Sequence, residues 1–385
     1  MNTPRERVLQ TLAFQETDFV PYHIMFDEAI ATKLRGLPGD PFHFSQFTNH
    51  LPFINLEAKQ FWTTSDGYSD EFGSVWKTLN QVPHLVEYPL KQPTLKGYSF
   101  PEVNVEDYVT DIERFLTEHR QHFVLCGMVQ GFYDRGWSLR GTENFLIDFI
   151  ENPLFTGQLF EALTDYYLRL LDDIARFPFD GIRFGDDWGA QRGMLMGPTR
   201  WRKFIKPGLT KIFDKARRQG LVVMVHSDGD IMEIIPDLIE IGVQILNPIQ
   251  PESMDIFKIK RLFGSNLCLN GGISSQYTLP MGTAADVRQE VTACLRYLAH
   301  GGGYVIGPTK GILADTPFEN TVALVETILN QPAKPLPVTE SLPDSVPELE
   351  KVYKAFHSCR IISAKSHFTE FNISKGSNCA GGAGR

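Results

Sequence analysis

From about residue 120 onward the chain repeats one cadence: a short apolar run, an abrupt polar tip, then a helical stretch. The clearest instance is LVVMVHSDGD, residues 221–230. Its five apolar residues, mostly β-branched, predict a strand buried on both faces, as in a parallel sheet. The run stops at His226, Ser227, Asp228, Gly229 and Asp230, and IMEIIPDLIEIG follows with helical spacing. In a barrel of alternating strands and helices, the C-terminal strand ends carry the active site. A polar turn with Asp228 or Asp230 capping the next helix would leave the same letters. The recurrence of such tips at other strands favours function for His226 and Asp228.

Taken in order, the pattern predicts a first helix over about 3–14 and a strand in FVPYHIMFD, where His23 and Asp27 either face a site or simply end the strand. Residues from about 30 to 118 are the least regular, and SDGYSDEFGSVWK within them reads as a strand pair or loop near a mouth, with Asp70 a substrate contact or an exposed acid. HFVLCGMV is the next strand. It leads into GFYDRGWSLRG, where Tyr133 lines a possible site and Arg135 and Arg140, beside aromatic residues, could clamp a carboxylate or phosphate or form surface pairs with Asp134 and Glu143. A helical stretch over about 144–177 breaks at Asn152-Pro153, and GIRFGDDWG brings Asp186, Asp187 and Trp188 to a strand exit. A helix over about 198–220 precedes the 221–225 strand. GVQILNPIQPE then places Asn247 and Gln250 at an exit, and NLCLNGGISSQ places Asn270 and Gly272 at another. GGGYVIGPTKGI closes the series on Lys310.

Strand and helix therefore alternate from about 120 to 330. This predicts an α/β fold, a TIM (β/α)8 barrel over residues 1–330 with N-terminal decorations. A doubly wound sheet is the runner-up, but no GxGxxG follows an early strand. Residues 331–385 read as a linker and C-terminal extension, with a short helix at 346–357 and a Gly-rich end.

Composition narrows the function. A net charge of −9 without a basic stripe argues against nucleic acid. No apolar run approaches the ~20 residues of a membrane span. Five dispersed cysteines without a CxxC spacing suit reduced thiols in a cytoplasm.

Several motifs together resemble the uroporphyrinogen decarboxylase superfamily: DEFGSVWK, GDDWGAQRGMLMGPTRWRKFIKP, VHSDGD, NPIQPE, LNGGISSQYTLPMGT and GGGYVIGPTKGILADTPFEN. The likeness covers about residues 3–330. It implies a barrel enzyme of one of two kinds, the haem-pathway decarboxylase or a corrinoid-linked methyltransferase. The decarboxylase carries an arginine-rich N-terminal segment where this chain has VPYHIMFDEAIATKLRG, with only Arg35, and a histidine where this chain has Lys310. The methyltransferases bind zinc through a His-x-Cys pair and a later cysteine. The pair maps onto His226 and Asp228, and the later cysteine onto Lys310, which cannot ligate as an ammonium.

The resemblance thus implies methyl transfer between a small substrate and a corrinoid protein, the cobalt lying on that partner. Zinc would sit on His226 and Asp228, with Glu252, Asp186 or Cys268 as the third ligand. Asp186 and Asp187 would contact substrate or supply protons, and Lys310 would stabilise negative charge. Decarboxylation without metal, with Lys310 or Arg140 holding a carboxylate, is the alternative. Barrels of this kind often pair, so a homodimer is a further expectation, although no interface stripe stands out.

Overall fold

The computed structural model describes residues 2–37, 49–56, 60–64, 67–79, 82–103, 105–128, 130–332 and 349. The expected linker and the helix at 346–357 lie outside the described residues, apart from 331, 332 and 349.

Seven strands form one parallel sheet: β1 (Phe53–Leu56), β2 (Leu125–Met128), β3 (Gly181–Gly185), β4 (Val222–His226), β5 (Ile245–Ile249), β6 (Cys268–Ile273) and β7 (Tyr304–Pro308). They neighbour one another in chain order. The segment before residue 27 completes the ring. Tyr22 and Phe26 make parallel bridges to Ile306 and Ile312, and on its other side Tyr22 O accepts from His50 N at 3.1 Å. The fold is a TIM barrel. Helices follow the strands as the apolar spacing predicts, among them Pro153–Ile174, Lys206–Arg218, Ala284–Tyr297 and Phe318–Leu329.

Alternation along each strand divides the core in two. One set of side chains, including Ile182, Phe184, Val223, Val225, Leu246 and Ile306, packs outward with Leu163, Leu209, Phe213, Val291 and Leu324 of the helices. The other set fills the barrel interior near the strands' N-terminal ends: Leu125, Met224, Ile245, Cys268 and Val305. Val8 and Leu12 of the first helix, Pro4–Leu12, join this cluster and plug that end. Thr3 starts that helix with a reciprocal capping box to Glu6. With one end plugged by apolar groups, polar groups can collect only at the other.

The irregular region forms a four-stranded antiparallel sheet, Gln60–Thr64, Gly67–Asp70, Val75–Leu79 and Val82–Glu87. GFYDRGWSLRG, which follows β2, is helical over Phe132–Arg140. Its two arginines point into the protein. Arg135 Nη1 meets Asp70 Oδ2 at 2.9 Å, and Arg140 Nε meets Asp148 Oδ2 at 2.8 Å, all four side chains being buried. Asp70 also accepts from Phe72 N, Ser74 N and Trp76 Nε1, which locks the small sheet onto the barrel. Asp70 and Arg140 were expected at the substrate, but their bonding capacity is spent on internal pairs. Desolvating a charge is tolerable only when a partner meets it.

Candidate functional site

The turns after β3 and β4 are stitched together. Asp186 N donates to His226 O at 3.0 Å, Trp188 N to Ser227 Oγ at 3.0 Å, and Asp230 N to Ala190 O at 2.8 Å. Gly229, at φ 82°, lies so close to Gly189 that a Cβ on it would come within 2.4 Å of Gly189 backbone. Only glycine suits that conformation and approach. The close approach brings Asp187 beside Asp228, whose N–H donates to Asp187 Oδ1 at 2.9 Å.

His226 ends β4 at the same rim. Its Nε2 lies 4.0 Å from Asp228 Oδ1. One ligand atom from each of Asp187, His226 and Asp228 falls within 4.8 Å of the others, and all three residues are half-buried. A polar chain behind the imidazole fixes its tautomer. Val305 O can only accept, so Asn270 Nδ2 donates to it at 3.0 Å. Asn270 Oδ1 then accepts from Asn247 Nδ2 at 2.5 Å, which turns Asn247 Oδ1 towards His226 Nδ1 at 2.6 Å. Nδ1 must carry the proton, and the Nε2 lone pair faces the two carboxylates.

Electrostatics agree with a neutral ring. Burial and the positive charge of Arg183 push His226 down to about 4, although Asp187 and Asn247 pull the other way. Burial and Asp187 push Asp228 up to about 6, against Lys310 and Arg183. Lys310 itself is exposed at the rim, just beyond β7.

The other expected residues divide into supports and bystanders. Asn247 and Asn270 are links in the relay. Gln250 Oε1 accepts Gly229 N at 2.9 Å and holds the β4 turn. Asp186 points away from its neighbour Asp187, accepting from Asp134 N at 2.9 Å and Trp188 Nε1 at 2.6 Å. Burial and the adjacent Asp134 carboxyl drive Asp186 well above the usual carboxylate range, and Asp134 rises to about 7. Trp188 is fully buried against Trp201, and Tyr133 is buried against Phe145. At Gly272 a Cβ would meet Tyr304, Leu298 and Ile256, so this position faces the helix layer. Of the proposed third ligands, Cys268 lies in the apolar interior and Asp186 faces inward. Glu252 accepts from Ser274 Oγ and Gln276 N. The residue whose ligand atom joins those of His226 and Asp228 within 4.8 Å is Asp187.

Sequence reasoning missed Arg183 altogether. It points into the barrel from β3, with its guanidinium carbon 4.7 Å from the Phe53 ring centroid on β1, across the strand between them. Strict alternation within GIRFG, where Ile182 and Phe184 face the helices, could have found it.

If a divalent ion binds at this cluster, replacing Asn247 by leucine is expected to weaken its binding by about 10- to 100-fold, because the ring loses its tautomer and its anchor. Competition against a zinc indicator measures this, and unchanged affinity would show that the relay does not orient the ligand.

These features define the class: a TIM-barrel enzyme whose strand tips gather imidazole, carboxylates and cations at one mouth. Residues 74–330 match the uroporphyrinogen decarboxylase (URO-D) family, and the chain belongs to it. The methylcobamide:CoM methyltransferase MtaA of Methanosarcina barkeri is 30% identical over 131 residues, 34% of this chain and 36% of that protein. The uroporphyrinogen decarboxylase of Thermus thermophilus is 27% identical over 173 residues, 44% of this chain and 47% of that protein. The chain thus spans less than half the length of either curated relative. A methyltransferase from Methanosarcina mazei shares the fold, with a TM-score of 0.63 at 19% identity, covering 85% of this chain and 98% of that one. Among the described residues no helix is long and apolar enough to cross a membrane.

Proposed function

We propose that this enzyme transfers a methyl group between a small substrate and a corrinoid-bearing partner protein, with zinc held by His226, Asp187 and Asp228. One observation carries the reading: three ligand atoms within 4.8 Å of one another, at the mouth of the barrel. The donor chemistry fits, since a neutral imidazole with a free lone pair and two carboxylates are ordinary zinc ligands. Sequence similarity to a methylcobamide:CoM methyltransferase supports the reaction type. When bound, zinc would act as a Lewis acid that lowers the pKa of a substrate thiol or hydroxyl.

The chain's own groups would do the remaining work. The relay from Val305 through Asn270 and Asn247 keeps the proton on His226 Nδ1. Asp228, raised to about 6 by burial and by Asp187 in the metal-free site, would be held as the carboxylate once it ligates the metal. Lys310 would balance negative charge at the rim.

Decarboxylation without metal is the second reading, favoured by that same Asp228 beside Lys310 and by the similarity to a uroporphyrinogen decarboxylase. Here Lys310 would hold the carboxylate and Asp228 would protonate the carbanion. Arg140 is removed from this scheme by its pairing with Asp148.

Metal analysis of the purified protein, paired with both assays, separates the two. Stoichiometric zinc together with demethylation of a methylcobamide is the expected result. Metal-free protein that releases carbon dioxide from a porphyrinogen would replace the first reading with the second.

A further inference from the structure

We infer that Arg183, with Lys310 above it at the rim, receives an anionic head group on the substrate of this site. The inference rests on the reading of the Asp187–His226–Asp228 cluster as a substrate site and names the chemical class of what it takes.

The protein gives each of its buried arginines a carboxylate, and Arg183, half-buried inside the barrel, has none. Arg135 and Arg140 each meet a buried carboxylate within 2.9 Å. The guanidinium of Arg183 makes no ion pair and no hydrogen bond with any described residue, and its contact is the face of Phe53. Burial nevertheless weighs on it and lowers it to about 10. A guanidinium held out of water without a partner is destabilising unless something else completes it.

Its position says what that would be. In the β3–β4 register Arg183 lies opposite Met224, one inward step below the pair Gly185 and His226. Gly185 keeps the space above it open: a Cβ there would lie 3.8 Å from Arg183 Nη1, an ordinary contact, with Met128 O at 3.7 Å. The side chain is half-buried, with Nη1 on the Gly185 side of the strand. Asp187 and Asp228 attract it without reaching ion-pair distance. Once both carboxylates are committed to a divalent ion, Arg183 and Lys310 remain as unbalanced cations, with His226 neutral. A planar fork with free donors, next to a spare ammonium and a neutral imidazole, suits a carboxylate, sulfonate or phosphate.

The test uses the full chain and simple anions. Acetate, methanesulfonate and inorganic phosphate are titrated at constant ionic strength against chloride, with thermal unfolding as readout, on wild type, Arg183→Met, Arg183→Lys and Asp187→Asn. A saturable rise in Tm is expected for the wild type with at least one anion, and the anion that gives it names the head group. In Arg183→Met the apparent affinity should fall by about tenfold or more, the worth of a charge-assisted hydrogen-bond pair. Arg183→Lys should keep part of it. In chloride alone Arg183→Met should be at least as stable as the wild type, because a half-buried charge without an ion-pair partner has been removed. Asp187→Asn should keep the response, since it removes a repelling charge.

Equal responses in wild type and Arg183→Met would overturn the inference. So would the absence of a saturable response in the wild type, a marked loss of stability in Arg183→Met, or loss of the response in Asp187→Asn. Zinc-free wild-type protein with an intact anion response would sink the metal assignment and leave this inference standing.

Discussion

Replacing His226 by alanine is expected to lower turnover by about 10²- to 10⁴-fold, whether the ring serves as ligand or as acid–base group. Zinc content separates the two roles. As a ligand, His226 takes the metal with it, and stoichiometry falls with activity. As a metal-free base, it leaves the metal content unchanged, and added imidazole restores part of the rate. The fold should survive, because the ring is half-buried at the rim and its removal opens space toward solvent. Acid stability gives an independent check in metal-free protein. The folded-state pKa of about 4 lies below the ordinary value of 6.5, so the unfolded chain binds the extra proton first. Stability from the neutral ring is present above about pH 6.5 and is lost as pH falls through about 4. His226→Ala should therefore lose less stability than wild type across that window. A variant with wild-type turnover would remove His226 from the chemistry.

Asp70→Ala should act on stability rather than on catalysis, at a cost of about 3–5 kcal/mol. The carboxylate accepts from two backbone N–H groups, the Trp76 indole and Arg135. Its loss strands the Arg135 guanidinium, which is 3% exposed and stacked 3.8 Å over the Phe72 ring. Adding Arg135→Met should recover part of the loss, because it removes the stranded charge. Denaturant unfolding of both variants measures the effect, with kinetics taken well below the transition. If Asp70→Ala unfolds like the wild type yet raises KM, the side chain touches substrate and the structural assignment is wrong.

Neighbouring residues with opposite fates show what could be read in advance. Asp186 and Asp187 look equivalent in GDDWG, yet one carboxyl turns to Asp134 and Trp188 while the other meets Asp228. Side-chain direction beyond a strand end depends on the turn, and this turn is held by contacts from residues about 40 positions away, through Gly229 on Gly189. Arg140 looked like an anion clamp beside aromatic residues, and only the packing of successive helices delivers Asp148 to it. Asn247 and Asn270 were picked as substrate contacts because they stand at strand exits. Their place behind the imidazole follows from the lateral order of β4 to β7.

What the chain determined by itself is the barrel and the end of it that matters. Short unbroken apolar runs that recur between helical stretches fit strands of a parallel sheet covered on both faces, and polar groups gather where such strands end. Local pattern therefore carries the strands from β2 onward, their order of use and the His226–Asp228 tip, while β1 lies in the stretch without clear alternation. Tertiary structure decided the rest: that Asp187 is the third group of the cluster, that Arg135 and Arg140 are internal pairs, and that Arg183 stands unpaired beneath the mouth. Each of those outcomes depends on which distant side chain reaches the same few ångströms, and no periodicity along the chain encodes that distance.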